Sequence, residues 1–184
     1  FIDPKKINTI YDPIINDNKI LKQKTKSEKL DNKYGQFYVA IRRPTKQKNF
    51  SHLIESFKEF NHNNQNKLLI VGEGEEKKIL EKKITNNLLH NQIFLIGYKR
   101  NIYNYLMRSK CFILSSLWED PGFVLIEAGF CNKFVISSNC KNGPTEILNN
   151  GENGILYISN DKDSLIQSLN KFEKMDEKEK YQKN

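Results

Sequence analysis

Long apolar runs, paired cysteines and clustered histidines are all scarce in this sequence. No apolar stretch approaches the roughly 20 residues that span a bilayer as a helix, and no signal-peptide pattern stands at the start. The chain reads as part of a longer protein, so Phe1 need not be a natural beginning. The cysteines are Cys111, Cys131 and Cys140. Their odd number and the lack of any C-x-x-C pair argue against a disulfide framework or zinc site and fit a reducing compartment. His52, His62 and His90 are scattered without ligand spacing. Acids are outnumbered, 22 to 30, for a formal net charge of +8. Such an excess fits nucleic acid, an anionic membrane surface or a phosphate ligand. It fits equally well lysines on solvated helix faces, in a chain whose abundant Lys and Asn reflect AT-rich codons. No continuous basic arm interleaved with aromatics is present. A nucleic-acid reading rests on charge alone, and no nucleic-acid partner is expected. What remains is 38% hydrophobic and 11% aromatic in 184 residues, enough for one domain with a real core.

Residues 1–34 read as an interdomain segment and linker, with a short extended piece at 7–13 ending in Asp12-Pro13 and a Lys-rich polar connection after it. Residues 35–174 carry the regular pattern, and 175–184 form a charged tail expected to be solvated or frayed. Apolar runs predict strands at 37–41, 67–71, 93–96, 111–115, 134–137 and 154–157. Helical spacing predicts helices at about 49–61, 75–87, 101–108, 121–130, 144–149 and 161–172. The stripes expected to face inward include Leu53, Ile54, Phe57 and Phe60 in the first helix and Ile79, Leu80, Ile84 and Leu88 in the second. Asn49 or Ser51 is expected to cap the first. Strands apolar throughout imply burial on both faces, and alternation with helices implies parallel pairing. The expected fold class is α/β: a Rossmann-like open parallel sheet of about six strands with helices on both faces. Ligands should bind at the carboxyl ends of its strands.

The loop Arg42 to Asn49 packs four cations beside a helix N-terminus. It reads either as an exposed basic loop or as a clamp for an anion such as a diphosphate. Val71-Gly72-Glu73-Gly74 is a strand followed by Gly-x-Gly, but Lys77 stands where the dinucleotide fingerprint has its third glycine, and the neighbouring acids would repel a pyrophosphate. It reads as a tight turn, not an NAD site. Trp118 to Ala128 joins two carboxylates to a helix start. Asp120 and Pro121 read as cap and first helical residue, and Gly122 lets a ligand approach free N–H groups. Glu127 is placed to accept hydrogen bonds from a ribose diol, and Glu119 lies at the cleft mouth; either acid alone reads equally as solvated. Asn142 to Glu146 reads as a second helix start, with Glu146 in a capping role.

These residues together resemble the carboxyl-terminal half of retaining glycosyltransferases of the group 1 (family 4) kind. Glu119 and Glu127 stand at the family's E-x7-E spacing. Arg43 followed five residues later by Lys48 matches its diphosphate pair. Val71 to Gly74, Phe94 to Gly97 and Gly143-Pro144-Thr145-Glu146-Ile147 match three further motifs, and the likeness covers about residues 7–173. The resemblance implies half of a GT-B fold, in which two Rossmann-like domains face a cleft. It implies a nucleotide-diphosphate sugar as substrate, with no metal and no other cofactor. Arg43, Lys48 and Glu119 are the implied catalytic set. Gly97, Tyr98, Gly122, Phe123, Val124 and Glu127 join them in binding the nucleotide sugar, with Glu127 on the ribose and Glu119 on the transferred sugar. The implied partners are a glycan or lipid-linked acceptor and an amino-terminal acceptor domain that lies outside this chain. The implied setting is bacterial polysaccharide or envelope synthesis, in the cytoplasm, with peripheral contact to the inner membrane. Two departures stand out. Asp120-Pro121-Gly122 replaces the commoner Gly-Phe-Gly, and Arg42-Arg43-Pro44 replaces Gly-Arg-Leu. The alternative is a degenerate remnant that binds donor without turnover.

Overall fold

In the computed structural model, residues 34–181 are described; the linker expected at 1–34 lies, but for Tyr34, outside them. The apolar runs form six strands: β1 (Phe37–Ile41), β2 (Lys67–Val71), β3 (Ile93–Gly97), β4 (Cys111–Leu114), β5 (Val135–Ser138) and β6 (Ile155–Tyr157). All pair in parallel, in the order β3-β2-β1-β4-β5-β6. In register, Tyr38 lies beside Leu68 and Cys111, and Val39 beside Leu69 and Phe112. Alternate residues enter two cores, as the pleat requires. Tyr38, Ala40, Ile70, Ile113 and Ile136 face one, and Val39, Ile41, Leu69, Leu114 and Val135 the other. This is the doubly wound sheet expected, and its order reverses between β1 and β4.

The first core is covered by α1 (Phe50–Phe60), α2 (Lys77–Asn86) and α6 (Lys162–Lys174). Leu53, Ile54, Phe57 and Phe60 are buried, as their spacing predicts. Phe57, Phe60 and Phe172 surround the Tyr38 ring edge-on at 5.6, 5.9 and 5.8 Å, a favourable aromatic geometry. The second core is covered by α3 (Tyr103–Arg108) and α4 (Phe123–Phe130), with α5 (Pro144–Ile147) against α4. Residues 177–181 form a further helix, α7 (Glu177–Tyr181), where a frayed tail is expected. Its Lys180 ammonium lies 5.0 Å over the Phe172 ring.

The predicted stripe of α2 is half right. Leu80 and Ile84 are buried, but Ile79 is 51% and Leu88 86% exposed. The helix stops at Asn86, and Leu88 takes a left-handed conformation at φ 57. Its N–H donates to Thr85 and the Leu89 N–H to Ile84, the double bond of a Schellman ending. Leu89, not Leu88, therefore turns inward. A leucine fills a position that favours glycine, at a cost of about 1 kcal/mol. Leu88→Gly, which removes a side chain buried against nothing, is expected to stabilise the chain by about 0.5 kcal/mol once glycine's looser unfolded state is counted. A lower urea midpoint for that variant would contradict this account.

At the amino ends of the strands, Glu173 accepts from the Tyr38 hydroxyl and the Lys110 ammonium, both at 2.6 Å. Burial pushes the Glu173 carboxyl up, but those two bonds outweigh it and hold it below its ordinary value of 4.5. A carboxyl held low in the folded state stabilises it above the unfolded value, and that contribution fades as pH falls from 4.5 through the folded value. Glu173→Gln should flatten stability against pH over this acid range and lower it by about 1 kcal/mol at neutral pH. An unchanged acid limb in urea melts would refute the assignment.

Candidate functional site

The reversal of strand order between β1 and β4 marks the usual ligand position in such sheets, at the carboxyl ends of the strands. Here it is a cleft of about 650 Å3 whose walls include Arg42, Arg43, Lys48, Tyr98, Glu119 and Phe123.

The β1 loop, Arg42 to Asn49, closes with a turn of 3-10 helix, Lys46–Lys48. It is held from both sides. Gly72 lies so close beneath it that an added Cβ would stand 2.0 Å from the Arg42 carbonyl oxygen. The Gly-x-Gly turn thus seats the cation loop against β2, which explains its glycines without a nucleotide. On the other side the β4 loop is stitched to it: the Leu117 N–H donates to the Gln47 carbonyl at 2.8 Å, and Gln47 Nε2 donates to the Trp118 carbonyl at 2.8 Å. Ser115 Oγ donates to the Lys48 carbonyl at 2.7 Å. Asn49 stands at the N-cap of α1, as expected, but in a left-handed conformation and without a side-chain cap bond; its amide donates to Asn160 Oδ1 instead.

These bonds set Lys48 Nζ 2.7 Å from Glu119 Oε1, with side-chain exposures of 12% and 4%. The same oxygen accepts from Ser116 Oγ. The Ser116 carbonyl in turn accepts from Ser138 Oγ at 2.7 Å and Ser159 Oγ at 3.3 Å. A hydroxyl floor drawn from the ends of three strands therefore fixes the acid. Buried ion pairs need such further bonds, because burial removes both charges from water. Cys140 lies nearby, its thiol pushed up by burial; all three cysteines are buried and none is in a disulfide.

The start of α4 departs from expectation. The Asp120–Pro121 bond is cis, Gly122 is left-handed at φ 89, and the helix begins at Phe123, two residues beyond the predicted start. Asp120 is exposed and does not cap it, and no side chain does. The reason lies in the β5 loop. Gly143, at φ 110, sits so close that a Cβ there would stand 1.8 Å from the Pro121 carbonyl oxygen. With Pro121 seated there, the left-handed Gly122 makes the turn into a right-handed helix. The first N–H groups of α4 are thereby left without a side-chain acceptor beside Glu119, a position that favours an anion.

Glu127, one turn along α4, accepts from the Tyr103 hydroxyl at 3.1 Å. Burial first, and then the Glu127 carboxylate, pushes the Tyr103 hydroxyl up. Glu127 does not line the cleft, nor do Gly97 and Val124. Val124 is fully buried, so only its backbone could meet a ligand. Gly97 ends β3 and accepts from the Gly72 N–H at 2.9 Å, and Tyr98 beyond it is 75% exposed on the cleft wall. Among the described residues no group of three or more His, Cys, Asp or Glu side chains is placed to hold a metal ion. No helix among them is long and apolar enough to cross a membrane.

The sequence pattern of the family described as Glycosyl transferases group 1 matches residues 22–184, most of the chain. The chain belongs to this family. Over 133 residues it is 39% identical to a glycosyltransferase of Methanocaldococcus jannaschii, covering 68% of the chain and 33% of that protein. It is 31% identical over 182 residues to the UDP-Gal:alpha-D-GlcNAc-diphosphoundecaprenol alpha-1,3-galactosyltransferase of Escherichia coli, covering 92% of the chain and 46% of the relative. A Campylobacter jejuni N-acetylgalactosaminyltransferase named for a diphospho-undecaprenol acceptor is 30% identical over 91% of the chain and 44% of its own length. The chain thus spans a third to just under half the length of these relatives. Among solved structures, Anabaena HepE with UDP and glucose superposes at a TM-score of 0.76, with 21% identity, covering 92% of the chain and 46% of HepE. A variant of TarM from S. aureus, solved with UDP, superposes at 0.75, with 23% identity, over 85% of the chain and 32% of TarM. These two show the fold. Within this group 1 chain, the folded protein brings Arg43, Lys48, Tyr98, Glu119, Gly122 and Phe123 to one cleft. Sequence reasoning missed Ser116 and Tyr103, which grip the two acids. Two consecutive hydroxyls at a strand's carboxyl end, Ser115 and Ser116, are the signal by which the first could have been found.

Proposed function

We propose that this chain is the donor-binding half of a retaining glycosyltransferase of GT-B architecture. The observation that carries the reading is the buried Lys48–Glu119 pair, set at the reversal of strand order beside the uncapped start of α4. Arg43 and Lys48 answer the charge of a diphosphate, with the N–H groups of Phe123 and Val124 as further donors. They also stabilise the departing nucleotide, so no metal or other cofactor is required. Glu119 contacts the transferred sugar. Gly97 and Tyr98 border the base, and Glu127 binds the ribose diol, with Tyr103 holding one of its oxygens. Glu127 stands outside the cleft lining, held by the Tyr103 hydroxyl.

The sugar passes to a glycan or lipid-linked acceptor presented by an amino-terminal domain. The diphosphoundecaprenol acceptors in the names of two relatives support envelope or polysaccharide synthesis. They also support a place in the bacterial cytoplasm at the inner membrane, where the net charge of +8 favours an anionic surface. The test is calorimetric titration with UDP-glucose, UDP-N-acetylglucosamine and GDP-mannose. Saturable binding to one of them, weakened about tenfold in Glu127→Ala by loss of a charged hydrogen bond, is the expected result. Absence of saturation with all three would overturn the reading. Binding without transfer, once an acceptor domain is supplied, would favour the degenerate remnant.

A further inference from the structure

The Lys48–Glu119 pair places an anion where an anionic ligand is to be bound. We infer that Glu119 makes the site discriminate an intact nucleotide sugar from the free nucleoside diphosphate, rejecting the product of the reaction; this rests on the donor-binding reading above. Lys48 Nζ already gives one hydrogen bond to Glu119 Oε1, at 2.7 Å. A phosphate oxygen that takes a second bond from the same ammonium stands about 4–5 Å from that carboxylate. At that separation, in a cleft wall where the Glu119 side chain is 4% exposed, like charges repel strongly.

Glu119 cannot swing away from the ligand. Ser116 holds the same oxygen, and Ser138 and Ser159 hold the Ser116 carbonyl. The backbone is pinned as well, since the Glu119 N–H donates to the Lys141 carbonyl at 3.1 Å. The repulsion therefore falls unequally on the two ligands. A free diphosphate carries a further negative charge on its terminal phosphate, whose second ionisation lies near pH 6. In the sugar nucleotide that oxygen is esterified, the charge is gone, and hydroxyl groups that can donate to a carboxylate take its place. One buried acid attracts the donor and disfavours the leaving product. Product release limits turnover in many enzymes, which gives such a residue a use beyond contacting the sugar.

The experiment compares dissociation constants for UDP, UDP-glucose and the methyl ester of UDP's terminal phosphate, at pH 8, on the wild-type chain and Glu119→Gln. Glutamine keeps the shape and removes the charge. The wild type should prefer UDP-glucose to UDP by about tenfold, and the methyl ester should bind tighter than UDP although it carries no sugar. In Glu119→Gln, UDP should tighten about tenfold while UDP-glucose, whose hydroxyl groups lose a charged acceptor, should not tighten, a factor of ten being about 1.4 kcal/mol. The methyl-ester comparison needs no variant and stands even if Glu119→Gln does not fold. UDP binding the wild type more tightly than its ester, or UDP and UDP-glucose shifting together in the variant, overturns the inference. GDP, its ester and GDP-mannose replace the uridine series if they are what binds. A wild type that none of these saturates refutes the donor-binding reading itself.

Discussion

Lys48→Met should lose nucleotide-sugar binding by about a hundredfold and unfold at a lower temperature, two effects with separate causes. The binding loss follows from removing a charged hydrogen bond to the diphosphate, worth up to about 3 kcal/mol. The stability loss follows from the partner left behind. Glu119, with a side chain only 4% exposed, would keep Ser116 but lose its counter-charge. Breaking one half of a buried pair costs about 3 kcal/mol, or roughly 6–12 °C in a chain of this size. The double variant Lys48→Met, Glu119→Gln separates the causes. It should regain most of the melting temperature and none of the affinity. A single variant that melts like the wild type would show that the pair is solvated and that its burial here has no energetic weight.

The second large effect is expected at Gly143, which is not among the residues lining the cleft. Gly143→Ala places a Cβ 1.8 Å from the Pro121 carbonyl oxygen, at a φ of 110 that L side chains rarely adopt. One of two backbones must move, and the Pro121 loop is the one that carries Gly122 into α4. We expect a loss of about 3–4 kcal/mol in urea unfolding. In whatever fraction remains folded, nucleotide affinity should fall too, because the N–H groups of α4 shift against Glu119. A loss below about 1 kcal/mol, within the range of ordinary substitutions, would mean that the contact is easily relieved and that Gly143 does not set the geometry of the site.

The β1, β2 and β4 runs were legible because they are apolar on both faces, and only strands buried between helix layers are written that way. Arg43, Lys48 and Glu119 were legible for a related reason: once the strands are placed, their carboxyl ends mark where the charged loops converge. What stayed hidden depends on contacts between distant segments. Asp120-Pro121 carries every local sign of a helix start, yet the start is fixed by Gly143, more than twenty residues later. Leu88 continues a helical stripe on paper, and only the Schellman ending turns it outward. Glu127 projects from the expected helix, but its partner Tyr103 comes from another element, and no spacing rule links the two.

The seam between the β1 and β4 loops runs largely through main-chain atoms of Gln47, Lys48, Leu117 and Trp118. Side chains such as Arg43, Lys46 and Trp118 take no part as donors in it. They can therefore be exchanged without unpicking the join, and the rim can change its chemistry while the scaffold stays put. For an engineer this marks Lys46 and Trp118, which lie outside the cleft lining, as positions that tolerate exchange, and Gln47, Ser115 and Ser116 as the ones to leave alone.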